Sequence, residues 1–479
     1  MLIRNMFGFL PAQLLSPAAQ LLSMVLWTHW LTPAQLGVFT LVSATQEIAY
    51  TVSLSWFSTY ALRYVPADSD HAATQRFLGA ENWVVIGSLV AALLAGLVTA
   101  LTLPANGMLL RDALIVGLYF ASRGINAHYA ERARAQSSFL AYTLLQTVGP
   151  VGAIGFGLLA FQYFDAGPFV LLAAYTAAQV LGALLGIPLM RMSWRLPSPD
   201  WAQLRAAVAF GGPVLGLGVL GWVAENYIRY LVQWQAGAAA LGLMIVGWSL
   251  GRRCAAVATM LVATAAFPLA ARLLNDGRRA EALQQLSVNA AMVLAVLAPV
   301  TAALVFLGPA LVALTVAQEY RQITAELLGW AVFGGALRNL HVHVSDQLMV
   351  LDRRLAMLAR LDLVEIVACV GASLLGLKMG GLQGALIGQA LGSLLALGVS
   401  MRWARLHLGL VWPWGHSLRV LLAVAAMSVV LWWLATAPTL RGLVMGSLVG
   451  ASVYGSVLAL MFASQTAQLL RQGWSALQR

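Results

Sequence analysis

The sequence contains few charged residues. Only 9% of its 479 residues are Asp, Glu, Lys or Arg, whereas about a quarter are charged in soluble domains. Apolar runs of about 18 residues or more recur from one end of the chain to the other, and each is long enough to cross a hydrocarbon core of about 30 Å. The runs are continuous rather than alternating, which disfavours a transmembrane β-barrel. The composition therefore indicates an all-α polytopic membrane protein.

Cysteine and long polar connections are also scarce. Cys254 and Cys369 are the only two cysteines, and both fall in apolar runs, where cysteine usually acts as a small apolar side chain. The connections between runs are short, which leaves no room for an extramembrane catalytic domain. His341 and His343 are two residues apart and so lie on different helix faces, and no zinc-protease, nucleophile-elbow or Walker pattern occurs. We expect no enzyme activity, no metal and no cofactor.

Hydropathy predicts about fourteen transmembrane helices. The expected positions are 9–31, 36–63, 81–103, 109–130, 138–162, 166–190, 206–234, 238–271, 284–308, 322–351, 355–378, 382–402, 416–437 and 441–463. Pro11 and Pro17 interrupt the first run, and Gly211-Gly212-Pro213 interrupts the seventh, so we expect broken helices there. The first run has no small-residue cleavage site and is expected to be a retained helix.

The basic residues are distributed unevenly between the two faces. Nineteen of the 28 Lys and Arg residues fall in connections on one face or near the termini, four on the opposite face and five within helices. The positive-inside rule then predicts that both termini are cytoplasmic. The pI near 10.2 does not indicate nucleic-acid binding, because no soluble surface carries a basic stripe.

The polar stretch FPLAARLLNDGRRAEALQQL, residues 267–286, stands out in this apolar chain. The predicted topology makes residues 272–283 the cytoplasmic turn between the eighth and ninth helices. Asn275-Asp276-Gly277 is expected to end the eighth helix, with Gly277 in a left-handed conformation.

The two halves of the chain share a short pattern, which indicates an internal repeat. LTPAQLGVFTLV (31–42) and QAGAAALGLMIV (235–246) each contain a Leu-Gly pair, and YALRYVP (60–66) and TAAFPLA (264–270) each contain a late proline.

These stretches resemble polysaccharide-export flippases of the MOP superfamily, the Wzx-type members. LTPAQLGVFTLV is similar to the junction after their first helix, and residues 267–286 are similar to the turn after their eighth. The resemblance implies two pseudo-symmetric six-helix lobes, 1–203 and 204–405, facing each other in a MATE-like V, and two further helices in 406–479.

The resemblance also implies a cargo. Such flippases lie in the bacterial inner membrane. They move an undecaprenyl-diphosphate-linked oligosaccharide repeat unit from the cytoplasmic to the periplasmic leaflet by alternating access, for O-antigen lipopolysaccharide, exopolysaccharide or capsule biosynthesis. Membrane lipids are expected partners, and a polysaccharide polymerase and a chain-length regulator stay open as further ones. No nucleic-acid partner is expected. Coupling to protons, to sodium or to the membrane potential also stays open.

Charged residues inside the predicted helices are candidates for the cargo site. A charge at the bilayer centre costs roughly 2.5–3.5 kcal/mol, so such residues face a wet cavity or a partner. Guanidinium groups bind phosphate oxygens bidentately, so a cationic cavity would suit a lipid diphosphate. The candidate substrate-binding residues are Arg123, Arg229, Arg252, Arg253, Arg338, Glu225, Asn339, His341 and Asp346.

Two local arrangements could satisfy some of these charges instead. Glu225 lies four residues before Arg229 and could pair with it. In the tenth helix, α-helical spacing places Asp346 with Asn339 and His343 on one stripe, and Arg338, His341 and Ser345 on the neighbouring one. That helix either lines a wet cavity or forms a buried network. Glu47, Glu225 and Asp346 are the acids expected to be buried.

Three alternative functions fit less well. Drug exporters of the superfamily use a carboxylate in the first helix, but residues 9–31 contain no Asp or Glu. Lipid II flippases carry arginines in their first two helices, where this chain has only Arg63. A membrane-embedded polymerase or glycosyltransferase needs a sizeable periplasmic loop, and the longest one expected here is 308–322.

A cytoplasmic gate is the last candidate site. Arg63, Asp68 and Asp70 lie after the second helix, at positions equivalent in the repeat to Arg272, Arg278 and Arg279 after the eighth. Opposite charges could meet there when the cytoplasmic side closes. The arginines could instead only fix topology and contact anionic lipid.

The predicted topology can be tested with single cysteines. Cysteines replacing Asn275 and Arg354 should resist a membrane-impermeant maleimide added from the periplasm, and a cysteine replacing Thr436 should react. Labelling in the opposite sense would contradict both the orientation and the direction of transport.

Overall fold

The computed structural model describes residues 2–66, 71–103, 109–190, 198, 200–434 and 438–463; side chains are described for the same residues except 2–11, 71–72, 261 and 264–265. Three residues used in the predictions above, Asp68, Asp70 and Thr436, lie outside this part of the chain.

Helices account for the regular structure of the described residues. They are Leu2–Trp27, Pro33–Tyr50, Trp56–Tyr64, His71–Thr102, Leu109–Ala135, Phe139–Tyr163, Pro168–Gly186, Trp201–Asn275, Arg279–Thr315, Gln318–Leu340, Gln347–Leu351, Leu355–Leu408, Trp414–Leu434 and Leu440–Met461. A short 3₁₀ turn, Ile187–Met190, extends the seventh of these, and π-helical turns join others at Thr51–Ser55 and His341–Asp346.

Two of these helices each contain a break at glycine. Trp201–Asn275 is interrupted at Gly237, with φ +83°, and Leu355–Leu408 at Gly380 and Gly381. When the two sides of each break are counted separately and the π-turns are joined to their neighbours, there are fourteen segments. We number them in chain order: 2–27, 33–64, 71–102, 109–135, 139–163, 168–190, 201–236, 238–275, 279–315, 318–351, 355–379, 382–408, 414–434 and 440–461.

These segments match the fourteen predicted helices, and the all-α polytopic fold class is confirmed. Seven helices of the described residues are long and apolar enough to cross a membrane, with 201–260 counted as one.

The expectation of helices broken by proline is wrong. Leu2–Trp27 runs through Pro11 and Pro17, and segment seven runs through Gly211-Gly212-Pro213. A proline removes a single backbone hydrogen bond from the helix. In hydrocarbon, an unwound segment would leave many more groups without a partner, so the helix persists around the proline.

The predicted end of the eighth helix is confirmed. The helix ends at Asn275, Gly277 has φ +76°, and the amide of Arg278 donates to the carbonyl of Leu273 over 2.9 Å. This is the hydrogen bond of a Schellman-type helix end.

The connections between segments four and five and between segments ten and eleven share one geometry. Ser137 (φ +55°) and Arg353 (φ +57°) are both left-handed. Each is followed by an amide that donates five residues back over 2.8 Å, from Ser138 to Ala133 and from Arg354 to Met349. The connections lie six segments apart, as an internal repeat of six segments requires.

By contacts the chain divides into two compact units, residues 1–245 and 246–479. The first unit includes segment seven and the start of segment eight, which the repeat assigns to the second lobe. The lobe boundaries at 203/204 and 405/406 stay a prediction.

Within the first unit, the two Leu-Gly pairs of the repeat lie at a reciprocal contact. A β-carbon at Gly37 would collide with the backbone of Ala238, and one at Gly242 would collide with the backbone of Pro33. Each glycine therefore packs on the residue four positions before the other glycine, which is the pattern of a local two-fold axis. The contact gives the repeat a structural basis.

This contact predicts matched effects of alanine at the two glycines. Gly37→Ala and Gly242→Ala should each destabilise the protein by about 1–3 kcal/mol, because the added methyl group meets backbone rather than a movable side chain. Gly216→Ala is the control, since a β-carbon there has open space. Thermal unfolding of the purified protein in detergent measures the effect. Equal stability of Gly37→Ala and Gly216→Ala would refute the close packing.

Candidate functional site

Arg123 of segment four and Glu47 of segment two form a partly exposed ion pair. Nη2 of Arg123 lies 3.6 Å from Oε1 of Glu47, and the two side chains are 33% and 40% exposed. Arg123 also donates from Nη1 to the hydroxyl of Tyr119 over 3.4 Å. Charges exposed to this degree are too costly to contact hydrocarbon. We call this ion pair, together with Tyr119 and Asn226, the Arg123 site. We infer that it faces water inside the membrane.

Segment seven supplies further polar groups beside Glu47. Asn226 lies 3.4 Å from Oε2 of Glu47 through its amide nitrogen, and the indole of Trp222 donates to the carbonyl of Ala44 over 3.0 Å. The hydroxyl of Tyr230 is 2.9 Å from that of Thr45. Asn226 is buried at 3% exposure, so its amide is held in place against the carboxylate.

Two predicted site residues of segment seven lie in the same unit. Arg229 is half-buried and donates to the backbone carbonyl of Thr40 over 3.4 Å. Glu225 lies one turn before it and is also half-buried. Their pairing with each other stays a prediction.

Glu81, His128 and Arg132 form a buried network that the sequence reasoning missed. His128 contacts Glu81 through Nε2 at 3.0 Å and Ser58 through Nδ1 at 2.9 Å. Arg132 pairs with the other oxygen of Glu81, and its guanidinium lies 5.5 Å from the ring centre of Phe77. Glu81 and His128 are completely buried.

Two expectations are corrected by this network. The predicted helix 109–130 leaves Arg132 in the connection that follows it, but Arg132 lies inside the helix Leu109–Ala135 and is 3% exposed. Glu81, rather than Glu47, is among the most deeply buried acids. The four-residue spacing of His128 and Arg132 was the available signal, because it places both on one helix face.

The second unit contains a second buried charge cluster, on segments ten and eleven. Arg338 pairs with Glu365, and the imidazole of His341 lies between Glu365 and Asp346. Arg338 and Asp346 are both 8% exposed. In this structure Arg338 and His341 therefore belong to a buried network rather than to a wet surface.

The predicted grouping of Asp346 with His343 and Asn339 is wrong. Residues His341–Asp346 form a π-turn, in which residues five apart face each other. Asp346 therefore meets His341, at 3.3 Å, whereas His343 contacts Gln347. The side chain of Asn339 donates to the carbonyl of Gly335, one turn back in its own helix, over 2.8 Å.

Arg252 and Arg253 lie side by side on segment eight, and both are half-buried. The guanidinium of Arg252 lies 5.0 Å from the ring centre of Trp248, and the indole of Trp248 donates to Gln389 over 2.9 Å. This cation–π contact gives the charge a partner without an acid.

The structure describes four of the six gate candidates: Arg63, Arg272, Arg278 and Arg279. Arg278 binds Glu281, and Arg279 binds both oxygens of Asp352 at 2.7 and 3.0 Å. These hydrogen bonds hold the pKa of the Glu281 and Asp352 carboxyls below their usual range. Arg272 is exposed. Both paired arginines thus have acid partners in their own unit.

Arg63, the remaining gate candidate that the structure describes, stacks on aromatic rings. Its guanidinium lies 5.5 Å from the ring centre of Tyr64 and 5.8 Å from that of Phe210. The proposed meeting of charges at the gate stays a prediction. Among the described residues, no group of three His, Cys, Asp or Glu side chains has the geometry of a metal site.

The fold defines a class. A helical bundle in which seven helices of the described residues are long and apolar enough to cross a membrane is a multi-pass membrane protein. The chain belongs to the Polysaccharide biosynthesis protein family, whose model matches residues 28–325. No curated protein matches the chain at a significant level.

Solved structures show the same fold at low sequence identity. The lipid II flippase MurJ in an inward closed conformation has a TM-score of 0.69 at 12% identity, over 95% of this chain and 99% of that one. An inward-facing multidrug resistance MATE family transporter of the MOP superfamily has a TM-score of 0.63 at 14% identity, over 82% and 94%. A mutant of the Vibrio cholerae MATE transporter VcmN has a TM-score of 0.54 at 16% identity, over 85% and 97%. The chain therefore shares the fold of these proteins.

The buried Glu81 network predicts a large penalty for removing one partner. Arg132→Ala should destabilise the protein by about 3–5 kcal/mol, because Glu81 is left as an uncompensated buried charge. The double change Arg132→Met with Glu81→Gln should recover most of that loss. Arg134→Ala is the control: its pair with Glu131 is partly exposed and is expected to contribute less than about 1 kcal/mol.

Thermal unfolding and folded yield in detergent measure these differences. If Arg132→Ala and Arg134→Ala are equally stable, the network has no structural role.

Proposed function

We propose that the protein is a flippase that moves an undecaprenyl-diphosphate-linked oligosaccharide repeat unit from the cytoplasmic to the periplasmic leaflet. The pathway would be O-antigen, exopolysaccharide or capsule biosynthesis. The observation that carries this proposal is the Arg123 site: a guanidinium held within the membrane yet a third exposed. Membership in the Polysaccharide biosynthesis protein family supports it.

The Arg123 site suits reversible binding of a diphosphate. Arg123 can offer its guanidinium to two phosphate oxygens at once. Glu47, at 3.6 Å, is its counter-ion, so the cargo must displace a weak ion pair rather than desolvate an unpaired charge. Asn226 then keeps a hydrogen bond to Glu47. The exchange stabilises the headgroup without holding it permanently, which transport requires.

Aromatic side chains lie close to this headgroup position. The rings of Trp222 and Tyr230 are 5.6 Å apart and meet nearly edge to face. Aromatic faces are suitable surfaces for sugars, and both residues lie on segment seven beside Asn226. We infer that the first sugar of the cargo lies against this pair while the diphosphate contacts Arg123.

Transport follows from alternating access rather than from covalent chemistry. The two lobes of the repeat, 1–203 and 204–405, would expose the Arg123 site to each leaflet in turn. Both termini would be cytoplasmic, and no covalent bond would form or break. Two other predicted site arginines would then assist: Arg229 on segment seven as a second cationic contact, and Arg252 through its partner Trp248.

A lipid II flippase is the second candidate. The fold likeness to MurJ extends over 95% of this chain. Such a cargo also presents a lipid-linked diphosphate, so the Arg123 site suits both. The two candidate cargoes differ in the sugars that the lipid diphosphate carries.

Deletion of the gene tests the assignment. The proposal predicts that a lipid-linked oligosaccharide repeat unit accumulates on the cytoplasmic leaflet, that surface polysaccharide is lost and that peptidoglycan synthesis continues. Accumulation of lipid II with cell lysis would support the second candidate. Unchanged polysaccharide and unchanged lipid intermediates would contradict both.

Variants of Arg123 test the site itself. Arg123→Ala should abolish export in the deletion strain while leaving protein abundance near normal. Arg123→Lys should restore export in part, because it keeps the charge but loses the bidentate fork. Arg111→Ala is the matched control on the same segment, since Arg111 is half exposed and pairs with the adjacent Asp112. Normal export by Arg123→Ala would remove the proposed cargo contact.

A further inference from the structure

His341 lies between two carboxylates in the buried cluster of the second unit. Its Nε2 is 3.3 Å from Oδ1 of Asp346, and its Nδ1 is 3.2 Å from Oε2 of Glu365. His341 is completely buried, and Asp346 is 8% exposed. Neither ring nitrogen nor this Asp346 oxygen has a well-angled hydrogen bond among the described residues. The three groups therefore interact as close charges, and whether they attract or repel depends on the protons that they hold.

The number of protons decides whether they can. A neutral imidazole has one N–H, so its other ring nitrogen presents a lone pair. A lone pair facing a carboxylate oxygen at 3.2–3.3 Å is repulsive, and burial removes the water that would screen it. An imidazolium has two N–H donors, one for each carboxylate. The arrangement therefore fits a cluster in which both carboxylates are ionised and the imidazole carries one proton more than its neutral form.

The charges on every packed element agree with this count. Segment ten itself contributes Arg338, which pairs with Glu365. Segment eleven contributes Asp362 and Cys369 beside Glu365. Segment eight contributes Arg252, whose backbone packs on Gly335 and whose charge lies over Trp248.

Segment nine also packs on the π-turn, and its only acid is Glu281, in its first turn. With a neutral imidazole, three carboxylates therefore face Arg338 at the centre of the cluster. A proton on His341 brings the charges closer to balance.

We propose that His341, Asp346 and Glu365 form a proton-binding site, with the proton held on the imidazole between the two carboxylates. The π-turn His341–Asp346 makes the site conditional. In an α-helix, residues five apart point about 140° away from each other, so His341 and Asp346 meet only while the π-turn persists. If the turn relaxes to an α-helix, the cluster loses one carboxylate and releases the proton.

If the protein is a flippase as proposed, the proton bound at this site is the ion coupled to transport. A conformational change that straightens segment ten would then exchange one proton for each cycle. Proton binding itself does not depend on which cargo is moved.

Nitrogen NMR of the full-length protein in detergent tests the proton site directly. The protein is labelled with ¹⁵N in its histidines, of which there are seven, and His341→Asn assigns the signal. At pH 7 His341 should have a proton on both ring nitrogens.

Two variants separate the proton site from a structural role. Asp346→Asn should make His341 neutral at pH 7, because only one carboxylate then faces the ring. His343→Asn is the matched control on the same π-turn and should leave His341 doubly protonated. A neutral His341 in the unaltered protein overturns the proposal, as does a doubly protonated His341 that Asp346→Asn leaves unchanged. Should Asp346→Asn fail to fold, the spectrum of the unaltered protein decides.

Export in the deletion strain then tests the coupling. His341→Asn should abolish export at normal abundance, and His343→Asn should preserve it. If His341→Asn exports normally while Arg123→Ala does not, the coupling step is wrong and the flippase proposal stands. If no lipid-linked oligosaccharide accumulates on deletion, the flippase proposal fails while the NMR result on proton binding is unaffected.

Discussion

The free-energy cost of placing charge in hydrocarbon determines where the charged side chains of this protein lie and how they are paired. That cost, roughly 2.5–3.5 kcal/mol for each unpaired charge, is met in two ways. Arg132 and Arg338 are buried against Glu81 and Glu365, so their charges never meet lipid. Arg123 keeps a partner but stays a third exposed. The buried pairs neutralise charge within each unit, whereas the partly exposed pair leaves a charge available to a ligand. The difference in exposure separates structural arginines from the one proposed to bind cargo.

The same constraint acts on the backbone. Segments run as continuous helices through internal prolines, because an unwound turn in lipid leaves several groups unbonded. The two π-turns lie beside buried polar clusters. The π-turn Thr51–Ser55 precedes Ser58, which contacts His128, and the π-turn His341–Asp346 contains the second cluster. Such π-turns are frequent at functional sites because they aim side chains that α-geometry would keep apart.

The sequence predicted the segments well because hydropathy and glycine chemistry are local. The fourteen helices, the left-handed Gly277 and the paired glycines of the repeat all follow from short stretches. The partners of the buried charges do not, because they depend on contacts between segments: Glu81 and Glu365 come from helices other than those of Arg132 and Arg338. Asp346 was assigned to the wrong partner since a single π-turn shifts the helical register.

Water access to the Arg123 site tests the account most directly. In a protein whose Cys254 and Cys369 are both replaced by alanine, single cysteines are introduced as Glu47→Cys and Ser345→Cys, and membranes open on both sides are treated with a charged maleimide. We expect rapid labelling at position 47, because the Glu47 side chain is partly exposed, and slow labelling at position 345, because Ser345 is completely buried. Equal labelling, or faster labelling at 345, would contradict the division between a wet cargo site and a dry charge cluster.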